Sequence, residues 1–136
     1  MGSRGRPVEA HQILIVDDDK FLVDMYSLKF SESGYEVETA QSGDEAVKKI
    51  EAGVKPDIYL VDVVMPVMDG FELVENIKQK FDGNRGLIVI LSNLGQKEDV
   101  EKGLGLGADG YIVKASATPT EVVNKVKEIL ANRKYA

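Results

Sequence analysis

Short apolar runs rich in β-branched residues alternate with segments of helical spacing along this chain, and this alternation restricts the fold more than any other feature. Four of the runs are continuously apolar, which is typical of strands buried on both faces of a parallel sheet. They occupy residues 13–16, 58–61, 87–91 and 111–113. A fifth run, residues 35–39, alternates apolar and polar side chains and therefore predicts a strand at a sheet edge.

Helices are predicted between these strands, and their first residues are well marked. Three pairs of residues have the spacing of a capping box, in which a helix-start side chain and an acid three residues later each accept from the other's backbone amide. The pairs are Ser42 with Glu45, Asp69 with Glu72, and Thr118 with Glu121. Pro119 fits the first helical position, where its missing amide is not needed.

Strand and helix therefore alternate five times, which predicts an α/β domain of the (βα)5 type. Because crossovers between parallel strands are right-handed, the five-stranded parallel sheet should be doubly wound, with helices on both faces. The expected strand order is 2-1-3-4-5, the flavodoxin-like arrangement, which reverses at the C-terminal ends of strands 1 and 3. We place this domain at residues 12–133 and interpret residues 1–11 as a disordered lead or an expression remnant.

Composition excludes several classes of function. The chain has no cysteine and a single histidine, His11, which excludes disulfides, thiolate zinc sites and multi-histidine metal sites. A net charge of −6 argues against direct binding to nucleic-acid phosphates. No apolar run approaches the roughly 18 residues of a membrane span, and the N-terminal stretch lacks the apolar middle of a signal peptide. We therefore expect a cytoplasmic protein with neither nucleic-acid nor membrane partners.

Acidic residues follow two strands that are neighbours in the predicted sheet. Asp17, Asp18 and Asp19 follow strand 1, and Asp62 follows strand 3. Carboxylates packed together raise one another's pKa values unless a cation neutralises them, and an all-oxygen, partly hydrated site suits Mg²⁺. One of the three consecutive acids is expected to cap the following helix instead.

A hydroxyl and an ammonium should arrive at the same edge, because Ser92 closes strand 4 and Lys114 closes strand 5. Each has an ordinary explanation by itself, as a turn serine and a solvated lysine. Together they make chemical sense if Asp62 carries a phosphoryl group, since Mg²⁺ and Lys114 would neutralise its oxygens and Ser92 would donate a hydrogen bond. The convergence of these groups predicts an aspartyl-phosphate site.

Four stretches that carry these groups resemble the receiver domains of bacterial two-component response regulators. They are residues 15–19, 60–70, 91–92 and 111–114, and the resemblance extends over about residues 12–131. It implies that Asp62 is the phosphoacceptor. The implied magnesium ligands are Asp17, Asp18, Asp62 and the backbone carbonyl of Val64. The groups implied to contact or follow the phosphoryl group are Lys114, the switch hydroxyl of Ser92, and Tyr111, whose rotamer follows Ser92.

The implied function is a signalling switch that catalyses only its own phosphorylation and dephosphorylation, not an enzyme acting on a separate substrate. It takes a phosphoryl group from a phosphohistidine of a sensor histidine kinase or a phosphotransfer protein. Phosphorylation then changes the face built from helix 4, strand 5 and helix 5, and therefore the contact with a downstream protein. The protein is expected to be a monomer or a phosphorylation-dependent dimer. The alternative is a non-phosphorylated receiver-like interaction module, which would normally have lost one of the acids or the lysine.

Other interpretations fit the residues less well. A haloacid-dehalogenase-type phosphatase needs a second acid two residues after its nucleophile, where this chain has Val64. The glycine-rich residues 103–107 follow a predicted helix, 97–102, and lead into a strand, whereas a phosphate-binding loop follows a strand and opens a helix. One departure from the family concerns Ala115, which stands where proline, often with a cis bond, is usual. A cis bond before alanine costs about 3 kcal/mol, so the isomer of the Lys114–Ala115 bond stays open.

Overall fold

The structure is a computed structural model that describes residues 11–81 and 86–134. The proposed lead, apart from its last residue, lies outside the described residues. The strands are β1 (Gln12–Val16), β2 (Glu36–Ala40), β3 (Ile58–Val61), β4 (Leu87–Ser92) and β5 (Gly110–Val113). The helices are α1 (Lys20–Glu32), α2 (Gly43–Glu51), α3 (Gly70–Phe81), α4 (Lys97–Gly105) and α5 (Pro119–Lys134), and a 3-10 turn, Lys114–Ser116, follows β5. No helix in this part of the chain is long and apolar enough to cross a membrane.

All strand pairs are parallel, and the order β2-β1-β3-β4-β5 confirms the predicted flavodoxin-like topology. Val16 pairs with Val61, Val61 with Ile90, and Ser92 with Val113. Val16, Val61, Ser92 and Val113 are the last residues of β1, β3, β4 and β5, so the C-terminal ends of four neighbouring strands meet at one edge of the sheet. The residues that follow them are therefore brought together.

Each face of the sheet has its own hydrophobic core, which explains why the predicted strands read as continuous apolar runs. Leu14 and Val16 point into one core with residues of α2 and α3, whereas Ile13 and Ile15 point into the other with residues of α1 and α5. The strand β2, predicted as an edge from its alternating pattern, is an edge and is only partly buried. Two-sided burial holds the central strands firmly, so the ends of β1 and β3 are rigid supports.

The helix starts agree with the predicted capping boxes, with one difference. At the starts of α3 and α5 both hydrogen bonds of the box form, at 2.8 to 3.1 Å. At α2 the Ser42 hydroxyl accepts from the Glu45 amide, but the Glu45 carboxylate accepts from the amide of Gln41 instead of Ser42. The carboxylate thus reaches one residue further back along the chain.

The helix α4 is longer than predicted, ending at Gly105 instead of residue 102. Gly103 is a buried helical residue, and the chain leaves the helix through Gly107, whose φ of +111° favours glycine. The glycine-rich stretch therefore ends a helix, as predicted, and one of its glycines serves the packing of α4.

Candidate functional site

The acids that follow β1 and β3 are held by the sheet itself. The Asp17 amide donates to the Ala40 carbonyl at 3.1 Å, and the Asp62 amide donates to the Val16 carbonyl at 2.9 Å. The ladder thus continues one residue beyond each strand, and both side chains are buried. Their positions follow from backbone hydrogen bonding and need no flexible loop.

Three carboxylates gather at this edge. Asp17, Asp18 and Asp62 each offer one oxygen, and these oxygens lie within 4.8 Å of one another. Asp18 is exposed, whereas the other two are buried, so the group opens to solvent on one side. An all-oxygen, partly solvated set of this kind fits Mg²⁺, which keeps several of its waters. The participation of the Val64 carbonyl stays a prediction.

Asp19 has the capping role that was expected of one of the three consecutive acids. Its carboxylate accepts from the amides of Phe21 and Leu22, at 3.0 and 3.3 Å, and so begins α1. Its own amide donates to the Asp17 carboxylate at 3.0 Å. Asp19 therefore turns away from the cluster and helps to orient Asp17.

Lys114 reaches two of the carboxylates. Its Nζ lies 2.8 Å from Oδ2 of Asp17 and 3.6 Å from Oδ1 of Asp62, and its side chain is only 10% exposed. No cis peptide bond is found in the described part of the chain, so the Lys114–Ala115 bond is trans. The ammonium is therefore placed against both acids without the proline or the cis bond usual in the family.

The cluster contains three carboxylates and one ammonium, and this excess of negative charge affects the pKa values of its members. Burial, and then the charge of Asp17, raise the pKa of Asp62 to about 6, against the opposing effects of Lys114 and of a hydrogen bond from the Val63 amide. Burial lowers the pKa of Lys114, but its hydrogen bond to Asp17 and the charge of Asp62 outweigh burial and leave that pKa raised. The lysine stays charged, and a further cation would relieve the repulsion that remains.

Ser92 and Tyr111 meet at one residue of the loop between β4 and α4. Oγ of Ser92, which is fully buried, accepts from the Leu94 amide at 3.2 Å. The Tyr111 hydroxyl donates to the Leu94 carbonyl, and burial raises the pKa of Tyr111. The two predicted switch residues are thus joined through a single peptide segment.

Two features of the loop between β3 and α3 were not recognised in the sequence. A Cβ at Gly70 would lie 2.2 Å from the Asp62 carbonyl oxygen, so α3 can begin against the backbone of Asp62 only because residue 70 is glycine. Val67 has a φ of +69° and a side chain 92% exposed, an unfavourable combination for a β-branched residue. The glycine beside the Asp69 cap was a readable signal, but nothing in the sequence indicates the backbone of Val67.

His11 lies at the other end of β1, with Nδ1 3.6 Å from the Asp57 carboxylate. It precedes the strand that Asp17 follows, so it is at the opposite edge of the sheet from the acid cluster. His11 therefore lies away from the carboxylates that follow β1 and β3.

Comparison with known proteins agrees with the geometry. The pattern of the response regulator receiver domain family matches residues 13–127. The chain is 38% identical to the alkaline phosphatase synthesis transcriptional regulatory protein PhoP of Bacillus subtilis, over 92% of this chain and 50% of that protein. It is 35% identical to the chemotaxis protein CheY of Halobacterium salinarum, over 89% of this chain and 98% of that protein. The chain thus spans about half of the first relative and nearly all of the second.

Solved structures show the same fold. A CheY-like response regulator receiver domain protein from Methanospirillum hungatei superposes with a TM-score of 0.83 at 32% identity, covering 93% of this chain and 98% of that one. The crystal structure of a CheX–CheY–BeF3–Mg²⁺ complex from Borrelia burgdorferi includes a chain that matches with a TM-score of 0.80 at 34% identity, covering 88% of each chain. Receiver domains are signalling domains and not classical enzymes. From its family pattern, its relatives and its sheet, this chain belongs to the response regulator receiver domain family.

Proposed function

We propose that residues 12–133 form a receiver domain in which Asp62 accepts a phosphoryl group from the phosphohistidine of a sensor histidine kinase or a phosphotransfer protein. The observation that carries this proposal is the contact of Lys114 with Asp17 and Asp62 inside a buried carboxylate cluster. A lysine paired with two acids, and still outnumbered by carboxylates, is suited to a site that receives an anionic group together with a divalent cation.

The contacts of Asp62 indicate which of its oxygens reacts. Oδ1 accepts from the Val63 amide at 2.9 Å and lies 3.6 Å from the Lys114 ammonium. We infer that Oδ2 attacks phosphorus, forming the new oxygen–phosphorus bond as the phosphorus–nitrogen bond to histidine breaks and the imidazole takes up a proton. Oδ1 stays fixed by its two partners, which holds the carboxylate in the orientation for attack. Mg²⁺ bound by Asp17, Asp18, Asp62 and the Val64 carbonyl would neutralise charge on the phosphoryl oxygens.

Lys114 and Ser92 act after transfer. The ammonium is positioned between Asp17 and Asp62, where it can contact an oxygen of the arriving group, and Ser92 can donate its hydroxyl hydrogen to another. The movement of Ser92 and Tyr111 then alters the face formed by α4, β5 and α5, which a downstream protein would recognise. The magnesium and beryllofluoride named with the Borrelia burgdorferi CheY complex support this assignment. The proposal includes a kinase or phosphotransfer protein as phosphoryl donor, a downstream protein, and either a monomer or a phosphorylation-dependent dimer.

The proposal is tested by incubating the protein with acetyl phosphate and measuring its intact mass. The mass should increase by one phosphoryl group with Mg²⁺ and not with a chelator. Asp62→Asn should abolish the increase, whereas Asp24→Asn, the same change at an exposed acid of α1, should leave it intact. A wild-type protein that is never modified would favour the non-phosphorylated interaction module, and full modification of Asp62→Asn would show that another residue is the acceptor.

A further inference from the structure

The helix α4 packs on the ring of Tyr111 at Gly103, a residue that has no side chain. A Cβ built on Gly103 would be 2.7 Å from Cδ1 of Ile90 and 3.0 and 3.1 Å from Cδ2 and Cε2 of the Tyr111 ring. The Ile90 methyl group is the flexible end of its side chain and can shift away, whereas the two ring contacts are tighter than nine in ten real Cβ contacts, so a Cβ would require the Tyr111 ring to move by a few tenths of an ångström. Because Gly103 has no side chain, the Tyr111 ring can pack directly against the backbone of α4 at this residue.

Gly105 provides a contrast within the same helix. A Cβ there would meet nothing within 4 Å, and the residue is exposed. Glycine costs an α-helix about 0.5–1 kcal/mol relative to alanine, and at residue 105 no contact offsets this cost. Of these two glycines of α4, Gly103 is the one that packs tightly on Tyr111.

The seated ring is connected to Ser92 by two hydrogen bonds through Leu94. The Tyr111 hydroxyl donates to the Leu94 carbonyl, and the Leu94 amide donates to Oγ of Ser92. A hydroxyl that accepts one hydrogen bond keeps its own hydrogen to donate. Val61 pairs with Ile90 on the neighbouring strand. Asp62 stands one residue after Val61 and Ser92 two residues after Ile90, so both lie at the same edge of the sheet. The Leu94 amide thus fixes Oγ of Ser92 at this edge, where the Ser92 hydroxyl also interacts directly with the Tyr111 hydroxyl.

We propose that Gly103 is a positioning residue: by leaving room for the Tyr111 ring under α4, it keeps the Leu94 peptide in place and so orients the Ser92 hydroxyl toward the phosphoryl group. The link to the phosphoryl group rests on the proposed function of Asp62. Coupling of this kind is reciprocal, so a group on Asp62 that binds Ser92 also stabilises the seated ring and the present position of α4. A side chain at residue 103 would oppose both.

The proposal is tested with beryllofluoride and Mg²⁺ as the phosphoryl mimic, titrated into wild type, Gly103→Ala and the control Gly105→Ala. Gly103→Ala should weaken beryllofluoride binding by about tenfold, the effect of about 1.4 kcal/mol, because overpacking displaces the ring. Gly105→Ala should change the affinity by less than about twofold, which is under 0.5 kcal/mol. Equal affinity of Gly103→Ala and wild type would overturn the proposal.

A double-mutant cycle separates this role from a general effect on folding. In a Tyr111→Ala background there is no ring to displace, so adding Gly103→Ala should have little further effect on beryllofluoride affinity. A tenfold loss that persists in that background would show that Gly103 acts otherwise than through Tyr111.

A second readout is independent of the phosphoacceptor. In the wild type, NMR cross-peaks should connect the Tyr111 ring to the Ile90 methyl group and to the Gly103 α-protons. Loss of the Ile90 cross-peaks in Gly103→Ala supports the proposal that Gly103 leaves room for the Tyr111 ring, and persistence of these cross-peaks overturns it. If the wild type fails to bind beryllofluoride at all, the proposed function of Asp62 is overturned, while these cross-peaks still decide whether Gly103 positions Tyr111.

Discussion

Removing the charge of Asp62 should stabilise the protein at neutral pH when no divalent cation is present. The pKa of Asp62 is raised from 3.8 to about 6, mainly by burial and by Asp17. The folded protein therefore holds the Asp62 proton more tightly than the unfolded chain does, and ionisation of Asp62 lowers the free energy of unfolding. This loss is absent below about pH 4, grows as the pH rises through 6, and is complete above about pH 7.

The size of the effect follows from the shift. Each pKa unit corresponds to about 1.4 kcal/mol, so the rise of the Asp62 pKa from 3.8 to about 6 corresponds to about 3 kcal/mol of unfolding free energy at neutral pH. Asparagine has nearly the same volume as aspartate and no charge, so Asp62→Asn should recover most of this amount. For a domain of this size, that is roughly a 10 °C increase in Tm.

The assay is thermal unfolding followed by circular dichroism near pH 4 and pH 7.5, first with a chelator and then with Mg²⁺. The increase in Tm should appear at pH 7.5 with the chelator, and it should shrink both at pH 4 and with Mg²⁺. The control is Asp24→Asn, which removes an exposed ion pair with Lys20 and should change stability by less than about 1 kcal/mol. Wild type and Asp62→Asn that melt together at pH 7.5 without metal would refute the argument.

Three further outcomes are expected. Mg²⁺ should raise the wild-type Tm, because it binds the folded cluster and not the unfolded chain; Asp18→Ala should weaken this response, and a Tm indifferent to Mg²⁺ would contradict the site. Val67→Gly should raise the Tm by relieving the backbone at φ +69° with no loss of packing, whereas Val64→Gly, where φ is not positive, should lower it. In receiver domains the side chains two positions after the phosphoacceptor and two after the switch hydroxyl flank the approach of the hydrolytic water, and here these are Val64 and Leu94, which cannot hydrogen-bond it. The phosphorylated state should therefore be long-lived, and Val64→Asn should hasten decay about tenfold, by ~1.4 kcal/mol of barrier, as measured by loss of the phosphoryl mass.

The topology was predictable because local and global signals agree. The apolar run at residues 58–61 coincides with β3, and the other strand boundaries differ by about one residue. Strands covered on both faces have to be apolar throughout, and Asp62 stood out because it interrupts such a run. The convergence of Asp17, Asp62 and Lys114 followed from strand order alone, since parallel strands place their C-terminal ends together.

What the sequence did not show depends on contacts between distant parts of the chain. The last turn of α4 was missed because Gly103 reads as a helix breaker, and only its packing on Ile90 and Tyr111 reveals why it is helical. The Asp99 carboxylate accepts from the Gln96 amide at the start of α4, but glutamine is an unusual residue to begin a helix and gave no signal. The sequence left the isomer of the Lys114–Ala115 bond open, and the structure shows that this bond is trans.

The pairing of Lys114 with Asp17 joins the residues that follow β5 and β1, the last and first strands along the chain, across 97 positions. During synthesis on the ribosome, the acids of β1 and β3 emerge well before Lys114 does. A nascent chain that brought these carboxylates together early would meet their repulsion, and this repulsion is relieved when the lysine arrives with β5. Docking of β5 is thus favoured electrostatically as well as by its apolar face, and the carboxylate cluster is complete only when the last strand has docked.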